Sequence, residues 1–156
     1  MKMSRTLRVA SLLVVAALVI ATAIVIHRQY RKALYYGTTA PLNAINAACL
    51  VYAQTYPKLG FPHELRQLGL DSRKPLGPDN SGLIDSVLAS GLKGGYVYKY
   101  QPGSQDESGK TTTYSFTAVP EKYARSMKSY HSDQTGVIHF TDANRTPTVD
   151  DPKLTF

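Results

Sequence analysis

The chain of 156 residues predicts an α+β protein: a long N-terminal helix, with a membrane half and an amphipathic half, packed on a four-stranded antiparallel β-sheet. Three observations predict it. Residues 9–26, VASLLVVAALVIATAIVI, contain no charge, no Pro and no Gly. Leu42, Ile45, Cys49, Tyr52 and Tyr56 then recur at three- and four-residue spacing, which lines them on one helical face. From Gly95 the period changes to two, the mark of half-buried strands.

The first segment, 1–8, is basic. Of the formal net charge of +7, six charges belong to Lys2, Arg5, Arg8, Arg28, Arg31 and Lys32, all ahead of the first acid, Glu64. Residues 37–156 are close to neutral, so the basic excess is a collar around an apolar helix and no nucleic-acid partner is expected. At about 1.5 Å per residue the apolar run makes a helix of roughly 27 Å, close to the hydrocarbon thickness of a bilayer. Segment 9–36 is therefore expected to be a transmembrane helix and its extension. Membrane lipid would meet Val9, Leu12, Leu13, Val15, Ala16, Ala17, Leu18, Ile20, Ala21, Ile24 and Ile26. The expected placement is the bacterial inner membrane, single-pass, with the N-terminus cytoplasmic and the C-terminal domain extracytoplasmic. A second reading stays open. Ala21-Thr22-Ala23 matches a small-x-small cleavage site, and release after Ala23 would give a secreted binding or adhesion module.

The domain spans 37–156. An amphipathic helix is expected over 37–56, with Thr39 as its N-cap, Pro41 in its first turn and Pro57 as its end. Asn43, Asn46 and Gln54 lie off the apolar stripe. Cys49, the single cysteine, reads as a small apolar residue of the buried face. Residues 57–94 form a connector punctuated by Gly and Pro, with a helical turn at 63–68 and a short helix at 83–89 capped by Ser81 and closed by Gly91. Over 95–141 comes the sheet: Tyr96, Tyr98 and Tyr100 alternate in one strand, and Tyr114, Phe116 and Ala118 in the next. A third strand at 127–131 turns at Gly136 into Val137, Ile138, His139, Phe140 and Thr141. The tail, 142–156, lacks periodicity and reads as loop. Leu42, Ile45, Cys49 and Tyr52 would meet Tyr96, Tyr98, Tyr114, Phe116, Ile138 and Phe140 in a core between helix and sheet.

That order of elements resembles the type IV pilins and the pseudopilins of type II secretion. The residues that carry the resemblance are Ala44-Ile45-Asn46-Ala47-Ala48 leading to Tyr52 and Tyr56-Pro57, then Gly60-Phe61 and Gly82 to Gly91. Gly95-Tyr96, Thr113-Tyr114 and Asp133-Gln134-Thr135-Gly136-Val137-Ile138 follow in the same order. The usual prepilin cleavage motif is absent, since the first Gly is Gly37 and residues 9–26 hold no Glu. The resemblance implies a pilin-like fold and a non-enzymatic subunit or accessory component of a type IV pilus or type II secretion apparatus on an uncut anchor. Its partners would be other pilin-like subunits or secretion-apparatus proteins, met through lateral helix packing, the loops at 69–79 and 101–110 and an exposed sheet edge.

No residue pattern points to catalysis. There is no nucleophile elbow, Gly-rich phosphate loop or HExxH. His131 and His139 flank one hairpin without further ligand residues, and Asp79, Asp85, Asp106, Asp133, Asp142, Asp150 and Asp151 are scattered without the alternating oxygens of a calcium loop. No cofactor and no metal are expected.

Overall fold

A computed structural model describes the backbone of residues 5–123 and 127–155; within the N-terminal helix it describes the side chains of residues 18–26 and 39–55. The chain divides into two units, Met1–Thr38 and Thr39–Phe156. Helix α1 (Arg5–Thr55) contributes to both. In the first unit, Leu18, Val19, Ile20, Ile24, Val25 and Ile26 are exposed, as are Ala21 and Ala23.

The expected long helix with a membrane half is corrected. Among the described residues, no helix is long and apolar enough to cross a membrane. The side chains of Val9, Leu12, Leu13, Val15, Ala16 and Ala17 lie outside those described, as does that of Tyr30. The single-pass inner-membrane placement is corrected with it. The helix that packs on the sheet is the stretch from residue 39 to 55, about 17 residues. Thr39 and Pro41 lie inside α1 and do not begin a separate helix.

The sheet has five strands, not four. β1 (Leu92–Lys93), β2 (Tyr96–Pro102), β3 (Tyr114–Pro120), β4 (Ser129–Asp133) and β5 (Ile138–Thr141) lie side by side in chain order, each pair antiparallel. The additional strand arises at Gly94 and Gly95. Both take positive φ, 61° and 77°, and Lys93 pairs directly with Tyr96 across them. Such a two-residue turn matches the twist of the flanking strands only with φ > 0 at both positions, which glycine adopts freely. The third expected strand is shifted: Ser129–Asp133 pairs, with Thr117 opposite His131 and His131 opposite His139.

Alternation along the strands sets the core. Tyr96, Tyr98, Tyr114, Phe116, Ala118, Tyr130 and Ile138 turn inward and are buried with Leu42, Ile45, Ala48, Cys49 and Tyr52 of α1; Tyr100 and Phe140 are partly buried against them. Each such large apolar side chain taken from water contributes about 1.5–3 kcal/mol. The rings pack by shape as well as by area. Phe61 meets Tyr114 edge-on at 4.8 Å, and Tyr100 stacks on Tyr114 at 5.8 Å.

The connector closes one end of this core with Leu65, Leu68, Ile84, Leu88 and Ala89. A 3₁₀ turn, Leu65–Leu68, is started by Gln67, whose side-chain oxygen accepts from the backbone N–H groups of His63 and Glu64. Helix α2 (Ser86–Ala89) begins at Asp85, whose carboxylate accepts from Leu88 N, so the start lies later than Ser81. Between them Asn80 is buried and ties one loop together. Its oxygen accepts from Asp71 N at 2.6 Å, and its amide nitrogen donates to the carbonyls of Asp71, Lys74 and Pro75 at 3.0–3.1 Å. Gly60 is fixed by proximity: a Cβ there would stand 2.1 Å from the Thr111 carbonyl oxygen.

The tail is not a free loop. Residues 152–154 return to the outer edge of β5, where Phe140 N donates to Pro152 O at 3.0 Å and Leu154 N to Ile138 O at 2.8 Å. His139 and Lys153 form an antiparallel bridge between those bonds.

Candidate interaction surface

Helix–sheet packing is fixed by a polar contact within an apolar core. Asn46 is 7% exposed. Its Oδ1 accepts from the Tyr114 hydroxyl at 2.9 Å, and its Nδ2 donates to Ser132 Oγ at 2.9 Å. Ser132 in turn donates to the Val137 carbonyl at 2.9 Å. A buried amide must find such partners or lose the hydration it had in water. These bonds lock the rotation of α1 about its axis relative to β3 and β4.

Cys49 is fully buried beside Tyr100 and Tyr114. Burial pushes its thiol up to about 12, with the two neighbouring hydroxyls acting weakly the other way. Such a thiol is neutral and inert at physiological pH. Tyr100 donates to Pro62 O at 2.8 Å and Tyr52 to Pro78 O at 3.1 Å, and burial pushes both phenols well up. Tyr52, Tyr100 and Tyr114 are thus anchored by their hydroxyl tips.

With the apolar stripe turned inward, α1 presents Ala40, Asn43, Ala44, Ala47, Leu50, Val51 and Gln54 outward, all exposed. Leu50 is 49% and Val51 42% exposed. No residue from 37 to 56 carries a charge. A solvated helix normally has charged side chains on its outer face; this one has alanines, which permit close approach of another backbone, followed by two branched aliphatic side chains. A smaller apolar patch lies on the connector, where Leu70 and Leu76 converge over Gly82 at 51% and 73% exposure. It falls within the loop at 69–79.

The opposite face of the sheet is mixed, with Val97 and Val119 beside Lys99, Ser115 and Thr117. A groove of about 540 Å³ runs over β2 and β3, lined by Val97, Lys99, Gln101, Ser115, Thr117 and Thr146 among others. No aromatic ring faces it from the odd-numbered positions of β2. His131 and His139 stand opposite one another on this side with ring centroids 6.4 Å apart. Burial lowers the His131 pKa, and the neighbouring His139 adds to that while Asp133 opposes it. Among the described residues, no three His, Cys, Asp or Glu side chains are grouped to hold a metal ion.

Two contributors to these surfaces escape a periodicity argument. Asn46 sits off the apolar stripe by composition yet inside it by geometry, one residue after Ile45. Asp151 lies in a tail without pattern; its carboxylate accepts from the guanidinium of Arg145 and from Thr148 N. Arg145 and the Thr148 amide hold that carboxyl down to about 2.

Comparison of the chain with protein-family models, curated proteins and solved structures finds no match. None of the three supplies family evidence for pilin or secretion function.

Proposed function

We propose that the unit Thr39–Phe156 is a non-enzymatic assembly domain of pilin-like kind, a subunit or accessory component of a filament or secretion apparatus, and that it docks through the outward face of α1. The observation that carries the reading is the uncharged helix face of Ala40, Ala44, Ala47, Leu50 and Val51. Small residues let a second helix approach closely, and Leu50 and Val51 supply the apolar area that its burial needs. The partner is accordingly another apolar helix, from a second copy or a related subunit. The loop patch of Leu70 and Leu76 offers a second contact of the same character.

Replacing Ala47 by Glu tests it. The variant places a charge in the centre of the face without touching the core. Sedimentation of the full chain should show a self-association constant at least tenfold weaker, with an unchanged melting temperature. Equal association would contradict the reading.

A second reading, a ligand-binding module, is favoured by the groove over β2 and β3. Lys99 and Glu121 beside Ser115, Thr117, Val97 and Val119 suit a small ligand with both polar and apolar parts. Substitution of Lys99 and Thr117 should then abolish ligand retention while leaving association intact.

A further inference from the structure

The outer face of the sheet is divided into a covered half and an open half. Strand alternation turns Ser129, His139 and Thr141 outward, yet they are only 1%, 6% and 6% exposed, because the chain that follows β5 lies against them. Ala143 N donates to the Thr141 hydroxyl at 3.2 Å, and His139 Nδ1 meets the Asp151 carbonyl at 2.6 Å. Over β2 and β3 the face is open: Val97, Ser115, Thr117 and Val119 are half-buried, and Lys99 and Gln101 are exposed. Thr146, from the covering chain, forms one wall of the groove there.

Cross-strand register orders the groove from end to end. Val97 pairs with Val119, Lys99 with Thr117 and Gln101 with Ser115, and residues directly opposite share a face. Leu92 stands opposite Val97 on β1 and is half exposed, so it carries the aliphatic row of Val97 and Val119 to the edge of the sheet. Glu121, whose N–H donates to Gly95 O at 2.8 Å, closes one end. From Glu121 the strand passes Val119 and reaches Thr117, the partner of Lys99, a step of four residues and about 13 Å. The groove therefore presents an acid, an aliphatic floor and a base in that order. Among the described residues, neither Lys99 nor Glu121 has an ion-pair partner.

We infer that the groove binds a short free peptide in extended form, its ammonium at Glu121, its carboxylate at Lys99 and an apolar side chain on Leu92, Val97 and Val119. Four extended residues reach about 13 Å, the separation of the two charges along the strand. Thr117 and Ser115 offer hydroxyl donors to the carboxylate beside the Lys99 ammonium. The opposite charges also fix the direction of the ligand, since a reversed peptide sets like charge against like. The inference rests on the second reading above, of the groove as a binding site, and is independent of docking through α1.

Nuclear magnetic resonance of the full chain tests it, with the methyls of Val97 and Val119 as reporters and alanyl-leucyl-alanyl-alanine as the probe. The free peptide should move both sets of methyl signals saturably. Acetylating its amine, or amidating its carboxylate, should weaken binding roughly fivefold, the size of one partly exposed ion pair. Glu121→Gln should weaken the free peptide and leave the acetylated one unchanged; Lys99→Gln should do the same for the amidated one, because each variant removes a charge whose partner is already gone. Both side chains are exposed, so the melting temperature of each variant should not move. Equal affinity of free and capped peptides at the same methyls would overturn the inference and leave the groove reading standing. An acetylated peptide that binds as well as the free one would overturn it too, and would assign the site to the carboxyl terminus of a protein. With no methyl shift from any of the three peptides the inference falls, while the groove reading keeps its own test in the substitutions of Lys99 and Thr117.

Discussion

Asn46 on α1 and Tyr114 on β3, 68 residues apart in sequence, meet at 2.9 Å inside the core. That contact, continued to Ser132, decides which helical face is left for partners. Removing Asn46 takes one hydrogen bond each from the buried Tyr114 hydroxyl and from Ser132. Asn46→Leu is expected to cost about 2–4 kcal/mol, since each unpaired buried polar group costs about 1–3 kcal/mol. Combining it with Tyr114→Phe should recover part of the loss. Urea unfolding of the four members of the cycle measures it, and strict additivity would contradict the coupling.

Burial of Cys49 predicts a silent thiol. A maleimide or aromatic disulfide reagent should leave the native protein unmodified at pH 8 over hours and label one thiol at once in denaturant. Rapid labelling of the native chain would show that α1 opens away from β2 and β3.

The loop at 71–80 depends on one amide. Asn80→Ala removes a bond to Asp71 N and donors to three carbonyls, and should destabilise the domain by about 2–3 kcal/mol. Cleavage by trypsin after Arg73, which is exposed, should become faster. An unchanged digestion rate would place the loop's order elsewhere.

Acid sensitivity follows from His131. Its folded pKa lies below the ordinary value of 6.5 because burial disfavours the imidazolium. A depressed histidine contributes stability that is present above pH 6.5 and lost as pH falls through the folded value, because the unfolded chain then binds more protons. His131→Gln should therefore flatten the fall in melting temperature between pH 7 and pH 5. Asp151 acts lower, its contribution persisting until pH approaches about 2, and so does not shape that window.

Periodicity made part of this architecture readable. The three- and four-residue spacing of Leu42, Ile45, Cys49 and Tyr52 marks a helical face, and the alternation at Tyr96, Tyr98 and Tyr100 marks a strand, because burial on one side imposes those periods. β1 has only two residues, too few for a period, and its signal was the pair Gly94-Gly95. Asn46 was hidden by polarity, since composition assigns an amide to the surface until its partners are known. The tail escaped because residues 152–154 pair through backbone atoms, which leave no side-chain signature. The apolar run of residues 9–26 reads as a membrane span by composition, whereas among the described residues no helix is long and apolar enough to cross a membrane.

Site-specific photo-crosslinking in the cells of origin tests the central claim most directly. A photoreactive residue is placed in turn at Leu50, on the outward helix face, and at Thr117, in the groove on the outer face of the sheet. Docking through α1 predicts adducts to a second copy or another small helical subunit from Leu50, and none from Thr117. Adducts from Thr117 alone would contradict it and assign the partner-facing surface to the groove.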